Sequence, residues 1–365
     1  MPRIPGIVPD IAISNGTVQD SAVVDELDLA LVNCLQINPR ASWTLIGEAL
    51  GVDPVTVARR WHQLSSSGTA WVTGRAAGHG APESCLAVIE LSCAASQTLA
   101  IAHRIAQLPY VLNVEHTSGP RALTLLAEMR DLSFLSRFLL ESLGAIPGVT
   151  GTRSHAITQV VTMGDQWRLK VLDRAQVALM TRRGGHRDST GGERAGARRP
   201  YDPVDRRLIL LLGEDGRMPV ATLAARAGLS DSTVRRRLAD LINHHRLVLR
   251  CDIALAASGW PVIMWIWAYA RPDDHETINA VIRHIPGIRV CWGISGGRPN
   301  LLLALNTHSM HEVPIVEAQL AEIAPRLSII DRSMILRSIK RVGRELDEAG
   351  RAIAAVPMDI WSGPR

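Results

Sequence analysis

The two halves of this 365-residue chain repeat one another, and this duplication constrains the fold more than any other feature of the sequence. A shift of 177 residues aligns Asp28 with Asp205, and the same shift still aligns Pro109 with Pro286 far downstream. Solenoid repeats have periods of about 20–50 residues, so a period of this length predicts complete domains within each copy. A chain of this length can hold about two to four domains.

Each copy begins with short amphipathic helices whose spacing indicates a helix-turn-helix module. In the second copy, a helix expected over residues 219–227 is followed by Gly228, which permits a left-handed turn between helices. Ser230 can cap the next helix, expected over residues 231–243. The first copy has the same arrangement, with its turn at Gly51. A β-branched or aromatic stretch follows each module and predicts a strand or wing.

The second helix of each module carries outward-facing residues that are expected to contact DNA. Arginine can pair bidentately with guanine, and Ser or Thr near a helix start can hold phosphates or bases. Two matched copies favour DNA binding over an ordinary three-helix scaffold with a solvated arginine face. The predicted DNA-contacting residues are Val55, Thr56, Arg59, Arg60 and His62 in the first copy, and Ser232, Thr233, Arg235, Arg236 and Arg237 in the second.

The rest of each copy predicts the element order β-α-β-β-α-β, which is the split βαβ or ferredoxin-like unit. In the second copy the expected elements are a strand at 261–270, a helix at 274–284, strands at 288–295 and 300–306, a helix at 310–323 and a strand at 327–339. The first strand is apolar on both faces, so one face should pack on the helices and the other on a second sheet. We therefore expect the two units to cover each other as a pseudo-dimer.

The charge is distributed unevenly between the two modules. The net charge is +5 and the pI is near 9.2, which mildly favours an anionic partner. Residues 201–250 hold nine Arg against six acids, whereas residues 25–75 hold four Arg against five acids. Because DNA affinity depends on phosphate neutralisation, the second module is expected to bind more strongly. Residues 181–200, rich in Gly, Arg and Ser, predict a flexible basic linker, with a nucleic-acid-contacting arm as the alternative.

Several functional classes lack support in the sequence. The five cysteines, at 34, 85, 93, 251 and 291, show no CxxC motif and no His at metal-ligand spacing, so we expect buried thiols in a reducing cytoplasm and no metal site. No paired carboxylates, nucleophile elbow or phosphate loop is present, so no catalytic residues, enzyme activity or cofactor are predicted. The N-terminus lacks the apolar run of a signal peptide, and residues 260–270 are too short to span a bilayer. We expect a soluble, cytoplasmic protein with no membrane partner.

The predicted fold class is α+β, with two winged helix-turn-helix domains and two βαββαβ ferredoxin-like domains arranged as a tandem repeat. The expected segments are a disordered tail at 1–22, helix-turn-helix domains at 23–75 and 201–252, ferredoxin-like sensor domains at 80–165 and 258–342, a flexible basic linker at 181–200 and a C-terminal tail at 343–365.

The two copies resemble the Lrp/AsnC (feast/famine) family of transcription regulators over residues 24–162 and 201–342. The resemblance rests on Asp28-x-x-Leu31 and its repeat at Asp205 ahead of the helix-turn-helix, and on the βαββαβ order that follows. Family members typically have one such unit and dimerise, so this chain resembles a fused tandem dimer. The resemblance implies sequence-specific binding to double-stranded DNA. Exposed sheet edges make further association into a homo-oligomer of pseudo-dimeric chains an expectation.

The resemblance also implies an effector site at the turn between the second and third strands of each sensor unit. Family sensor domains bind small effectors there, often amino acids. The residues at this turn are Ser118, Gly119 and Arg121 in the first copy, and Ser295, Gly296 and Arg298 in the second. The family often follows this glycine with a Tyr-Asp pair, whereas this chain has Ala122-Leu123 and Pro299-Asn300. A tight hairpin turn that needs glycine and binds nothing is therefore the alternative.

Two other functions remain as alternatives to a DNA-binding regulator. Sirohaem decarboxylases also resemble this family and can carry two fused halves, but they need His and other polar residues around a tetrapyrrole. In this chain His116 and His155 are isolated in the sequence. A sensing or assembly protein without DNA binding is the third interpretation, because the first module is slightly acidic.

Overall fold

The computed structural model describes residues 24–77, 84–164, 167–182, 200–282, 285 and 287–362. The helices are α1 Glu26–Ile37, α2 Trp43–Leu50, α3 Pro54–Ser66, α4 Thr98–Ala106, α5 Leu132–Arg137, α6 Arg174–Arg182, α7 Pro203–Glu214, α8 Val220–Ala227, α9 Asp231–Asn243, α10 His275–Ile282 and α11 Val313–Ile323. The strands are β1 Ala70–Ala76, β2 Cys85–Cys93, β3 Val111–Thr117, β4 Leu123–Met129, β5 Val149–Thr162, β6 Leu247–Ile253, β7 Val262–Tyr269, β8 Ile288–Ser295, β9 Leu301–Thr307, β10 Ser328–Arg341, β11 Arg344–Leu346 and β12 Ala352–Ala355. The predicted tail at 1–22, and residues 183–199 of the predicted linker, lie outside the described residues.

The helix-turn-helix modules form as predicted, as α1–α3 and α7–α9. Local signals explain their boundaries. Asp53 caps α3 by accepting from the Val55 amide at 2.8 Å, and Ser230 caps α9 by accepting from the Thr233 amide at 3.3 Å. Gly228 ends α8 with φ +71°, and Gly51, its first-copy equivalent, ends α2 with φ +66°. Glycine adopts this left-handed conformation at little steric cost.

The strand that follows each module pairs with its counterpart in the other copy. β1 and β6 form an antiparallel two-stranded ribbon from Ala70 opposite Ile253 to Ala76 opposite Leu247. The modules therefore share one ribbon, whereas the sequence alone suggested a wing belonging to each. Pairing across the copies satisfies the backbone groups of two strands that have no hairpin partner of their own.

The two βαββαβ units close on each other as a barrel. In the described part of the chain, eight strands follow the order β10-β3-β4-β2-β5-β8-β9-β7, and β7 pairs with β10 to complete the ring. The long strands β5 and β10 each pair with both units, so they hold the copies together. The structure thus confirms the predicted pseudo-dimer, with helices outside and an apolar core between the sheets that includes Leu86, Val88, Trp265, Trp267, Trp292 and Leu302.

Residues 343–362, which the sequence analysis assigned to a C-terminal tail, include two short strands, β11 and β12. Gly343, with φ +74°, reverses the chain after β10, and β11 then pairs with Lys340 and Arg341. β12 pairs with β11, and the Ala352 amide donates to the Gly68 carbonyl at 2.8 Å. These strands are too short for a recognisable alternating pattern, and their stability comes from pairing with a strand that is already in place.

Candidate nucleic-acid interface and effector region

The recognition helices α3 and α9 expose most of the residues predicted to contact DNA. Each helix buries one apolar stripe, Val57, Trp61 and Leu64 in α3 and Val234, Leu238 and Leu241 in α9. The opposite face leaves Val55 75% exposed. The other exposed predicted residues are Arg59, His62, Ser232, Arg235 and Arg236, while Thr56 and Thr233 are partly buried.

Two of the predicted DNA-contacting arginines form ion pairs within their own modules. Arg60 Nη1 lies 2.6 Å from Asp25 and 3.0 Å from Asp28, and these hydrogen bonds raise the pKa of Arg60. Arg237 Nη1 lies 2.7 Å from Asp202 and 3.3 Å from the fully buried Asp205. Both arginines therefore hold the recognition helix to the start of the first helix of its module. The sequence contained a signal for these ion pairs, because both aspartates and the arginine occur at equivalent positions in the two copies.

Reciprocal arginines join the two modules. Arg40 donates to the carbonyls of Gly216 at 2.6 Å and Met218 at 3.0 Å. Arg217, its equivalent in the other copy, donates to the carbonyls of Pro39 at 2.7 Å and Ala41 at 2.8 Å. Such a symmetric exchange of charge-assisted hydrogen bonds sets the relative position of the two recognition helices. The 177-residue repeat aligns Arg40 with Arg217, but the sequence alone does not show that each contacts the other module.

The effector turn of the first copy lies beside a cavity of about 580 Å³. Residues from β2, α4, β3 and β10 line it, among them Leu99, His116, Gly119, Arg121 and Arg337. Gly119 has φ +90° and an added Cβ would meet no atom within 4 Å, so the glycine is required by the turn geometry alone.

The same turn is hydrogen-bonded to β10 of the second copy. Ser118 donates from its amide to the Met334 carbonyl at 2.8 Å, and its hydroxyl accepts from the Met334 amide at 2.9 Å. The Ser333 hydroxyl donates to the Ser118 carbonyl at 2.6 Å. Three hydrogen bonds therefore join the first-copy turn to β10 of the second copy.

Arg121 is buried, with 5% of its surface exposed, and belongs to a polar cluster between the two copies. Its Nε lies 2.5 Å from Glu90 and its Nη2 lies 2.5 Å from Asp331 of the second copy. His155 Nε2 lies 2.7 Å from the other Glu90 oxygen. Burial opposes ionisation of Glu90, but the contacts with His155 and Arg121 outweigh it and lower the pKa of the Glu90 carboxyl. Glu90 and Asp331 carry no motif, so the sequence did not reveal them.

The effector turn of the second copy is more open and has different neighbours. Ser295, Gly296 and Arg298 are all exposed. Gly296 has φ +127°, and an added Cβ would lie 2.3 Å from the Ser154 carbonyl oxygen, so only glycine fits there. Ser295 pairs with Ala156 of β5. The two predicted effector turns are therefore not equivalent, and only the first is among the residues lining the 580 Å³ cavity.

Across the described residues, no group of three or more His, Cys, Asp or Glu side chains is placed to hold a metal ion. Within the same ranges, no helix is long and apolar enough to cross a membrane.

Comparison with known proteins identifies the domains. The model of the AsnC-type helix-turn-helix domain matches residues 24–65 and 202–242, and the model of the Lrp/AsnC ligand binding domain matches residues 86–167. An uncharacterized HTH-type transcriptional regulator of Pyrococcus abyssi is 27% identical over 146 residues, which are 39% of this chain and 90% of that protein. The proline dehydrogenase transcriptional activator of Rhodobacter capsulatus is 26% identical over 143 residues, 38% of this chain and 92% of that protein.

One solved structure is similar in fold over most of the chain. The crystal structure of the siroheme decarboxylase NirDL has a TM-score of 0.55 with this chain at 13% identity, covering 87% of this chain and 93% of that one. At this identity the likeness concerns the fold alone. The chain therefore carries two AsnC-type helix-turn-helix domains and an Lrp/AsnC ligand binding domain, and the relatives named above are similar to it over about two fifths of its length.

Proposed function

We propose that this protein is a sequence-specific, DNA-binding transcription regulator of the Lrp/AsnC type, in which one chain supplies both recognition helices. The observation that carries the proposal is that α3 and α9 are capped, exposed and held in one arrangement by the reciprocal Arg40 and Arg217 contacts. Two curated relatives, one named as an HTH-type transcriptional regulator and one as a transcriptional activator, support it. The operator is then an imperfect inverted repeat with half-sites about 34 Å apart, since the two helices differ at their outward positions.

The test is a titration of the protein with a fluorescent fragment of its own upstream DNA, at two salt concentrations, with unlabelled random DNA as competitor. Tight, salt-sensitive binding that survives the competitor supports the proposal. The double variant Arg59→Ala/Arg236→Ala should lose that binding. Arg271→Ala is the matched control, because Arg271 is 75% exposed and lies on a sensor unit. Binding no better than to random DNA, for this fragment and in a genome-wide pull-down, would contradict the proposal.

We also propose that the 580 Å³ cavity at the first-copy turn binds a small effector such as an amino acid. Its volume is within the range of about 300–1,000 Å³ typical of small-molecule sites. Leu99, Ala102 and Ile339 offer apolar contacts, while His116 and Arg337 offer polar groups for a carboxylate. Arg121 also lines the cavity, but its ion pairs engage it elsewhere.

A thermal-shift screen of the twenty amino acids tests this site. The exposed Ser92 lies on the cavity rim, so Ser92→Trp should fill the cavity and abolish any ligand-induced rise in Tm, while Ser92→Ala should preserve it. An equal response in both variants would place the ligand elsewhere. Addition of an iron porphyrin, followed by visible absorbance, tests the competing tetrapyrrole enzyme in the same experiment.

The proposal extends to a homo-oligomer of pseudo-dimeric chains in the cytoplasm. Large apolar side chains remain exposed on the sensor helices, with Leu132 66%, Leu140 74% and Ile315 56% exposed. Exposed apolar side chains on the outer helices are typical of association surfaces. Sedimentation velocity over a range of protein concentrations measures the assembly, and Leu140→Glu should shift it toward single chains.

A further inference from the structure

A second cavity, of about 660 Å³, lies between the two helix-turn-helix modules and the C-terminal strands. Its walls come from α2, α3, β1, the end of α7, β11 and β12, and we call it the module cavity. His62 and Ser65 of α3 and Ile353 of β12 are exposed members of its lining, so the module cavity opens to solvent. Its volume is within the range of about 300–1,000 Å³ that is typical of small-molecule sites.

Three tryptophans form the aromatic part of the module cavity. Trp43 comes from α2, Trp61 from α3 and Trp71 from β1. The ring centroids of Trp43 and Trp61 lie 6.4 Å apart, and their ring planes are tilted by 37°. Indole rings offer large flat faces and edges, against which an aromatic ligand can pack. The lining therefore suits a ligand with an aromatic body.

The fold that the two copies share does not require these tryptophans. At the equivalent positions of the second copy, the 177-residue repeat gives three aliphatic residues, Val220, Leu238 and Val248. These residues lie on α8, α9 and β6, which are the counterparts of α2, α3 and β1. Packing of the module alone therefore does not explain three indole rings on one cavity.

Two N–H groups on residues of the lining lack acceptors. Trp71 is buried, and across the described residues its Nε1 has no hydrogen-bond partner. Arg344 Nη2 donates to the Glu214 carbonyl and lies 3.5 Å from the carbonyl of Val72, the neighbour of Trp71 in β1. Arg344 Nε is buried and has no partner within the same ranges. Because buried N–H groups are nearly always hydrogen-bonded, a ligand with acceptor oxygens would supply what both donors lack.

The charges around the module cavity favour an anion. Its lining holds two arginines, Arg217 and Arg344, and two acids, Glu214 and Asp215. Glu214 is already engaged by Arg226, whose Nη1 and Nη2 lie 2.5 and 3.0 Å from its two oxygens. Three arginines therefore face two carboxylates. In the part of the chain that the structure describes, no carboxylate lies within 4.0 Å of Arg344.

We propose that the module cavity binds a small aromatic carboxylic acid, with its ring against the tryptophans and its carboxylate accepting from Arg344 and Trp71. A charge-assisted hydrogen bond from a guanidinium group is among the strong contacts available to a carboxylate. The ligand would contact α3 and Arg217, which joins the modules, and so would act directly on the DNA-binding half of the chain. Binding at this position does not depend on whether the protein regulates transcription.

Isothermal titration calorimetry of the full chain tests the site with a smaller and a larger aromatic acid, benzoate and indole-3-acetate. Benzamide and indole-3-acetamide are their uncharged counterparts. Saturable binding of at least one acid is expected, and its amide should bind about tenfold or more weakly, because it lacks the anionic acceptor.

Two variants test the proposed contacts of the carboxylate. Trp71→Phe keeps an aromatic ring but removes the N–H donor, so it should weaken binding of the acid about three- to tenfold. Arg344→Gln should bring the acid and its amide to similar affinities, a change of ratio that a merely structural loss would not produce. An unchanged ratio in Arg344→Gln would overturn the assignment of the carboxylate to Arg344.

Two exposed serines at the end of α3 give a matched pair of blocking variants. Ser65 lines the module cavity, whereas Ser66 is not among its lining residues. Ser65→Trp should therefore abolish binding, and Ser66→Trp should preserve it. Ser92→Trp should also preserve it, because Ser92 lines the 580 Å³ cavity of the sensor barrel.

Three results would overturn the proposal. The first is the absence of saturable binding of either acid to the unmodified protein. The second is equal affinity of that protein for an acid and its amide. The third is loss of binding in Ser92→Trp but not in Ser65→Trp, which would place the ligand in the sensor barrel.

Discussion

Replacing Arg217 by alanine should loosen the pairing of the two helix-turn-helix modules. Its guanidinium donates hydrogen bonds to the Pro39 and Ala41 carbonyls, at 2.7 and 2.8 Å, and its Cζ lies 3.8 Å from the Trp43 ring centroid. A hydrogen bond that involves a charged group is worth about 1.5–3 kcal/mol. A desolvated cation–π contact is worth about 1–2 kcal/mol. These contacts together contribute roughly 4–8 kcal/mol.

The burial of the charge offsets part of this gain. Burial, with repulsion from Arg40, lowers the pKa of Arg217 to about 10, from an ordinary value of 12.5. The difference corresponds to about 3 kcal/mol at 1.36 kcal/mol per pKa unit. The expected net loss of unfolding free energy in Arg217→Ala is therefore roughly 1–5 kcal/mol. Urea denaturation followed by Trp fluorescence measures it.

The effect on DNA should depend on the number of half-sites. Affinity for a two-half-site operator should fall at least about tenfold. With a fixed spacing, binding of one recognition helix gives the other a high effective concentration at its half-site, and the variant loosens that spacing. Affinity for a single half-site should hardly change. The double variant Arg40→Ala/Arg217→Ala should lose less unfolding free energy than the sum of the two single variants, because both arginines stabilise the same interface between the modules. Strict additivity with unaltered two-site binding would refute this account of the arginine pair.

The remaining predictions concern the recognition helices, the turn and one buried lysine. Arg236→Ala should weaken operator binding more than Arg59→Ala, since the second module is the more basic; equal losses in matched titrations would contradict this. Gly228→Ala should cost about 1–2 kcal/mol because of its left-handed backbone alone, since an added Cβ meets no atom within 4 Å, and an unchanged Tm would count against it. Burial lowers the pKa of Lys340 to about 7 in the folded protein, although Nζ donates to the Leu108 carbonyl at 2.8 Å. Above pH 7 the unfolded chain then holds the extra proton, so stability should rise between pH 7 and 8.5, and Lys340→Met should flatten that rise by up to about 1.36 kcal/mol per pH unit.

Local features made much of this architecture predictable. The capping residues Asp53 and Ser230, the turn glycines and the apolar stripes predicted the helices of both modules, because such signals act between residues three or four positions apart. The two recognition helices could be located in the same way. The pairing of Arg60 and Arg237 with aspartates was missed because a helical wheel does not show what the neighbouring helix presents.

The repeat also concealed how differently the two copies are built inside the barrel. Under the 177-residue repeat, Glu90 of the first copy is equivalent to Trp267 of the second, and Glu115 is equivalent to Trp292. Glu115 of the first copy accepts a hydrogen bond from Trp265 of the second at 2.8 Å, and the Arg121 guanidinium lies 4.1 Å from the Trp267 ring centroid. Acids and an arginine from one copy thus meet tryptophans from the other, which alignment of the copies could not indicate.

The sequence by itself determined the duplication, the helix-turn-helix modules, the βαββαβ order and the resemblance to Lrp/AsnC regulators. The tertiary structure decided how these parts combine: the ribbon of β1 and β6, the closure of the barrel through β5 and β10, the C-terminal strands β11 and β12, and the ion pairs of Arg121 with Glu90 and Asp331. The physical reason is the distance along the chain over which each interaction acts. Caps, turns and amphipathic periodicity are local, whereas strand pairing and buried charge clusters join residues more than a hundred positions apart and depend on which surfaces meet.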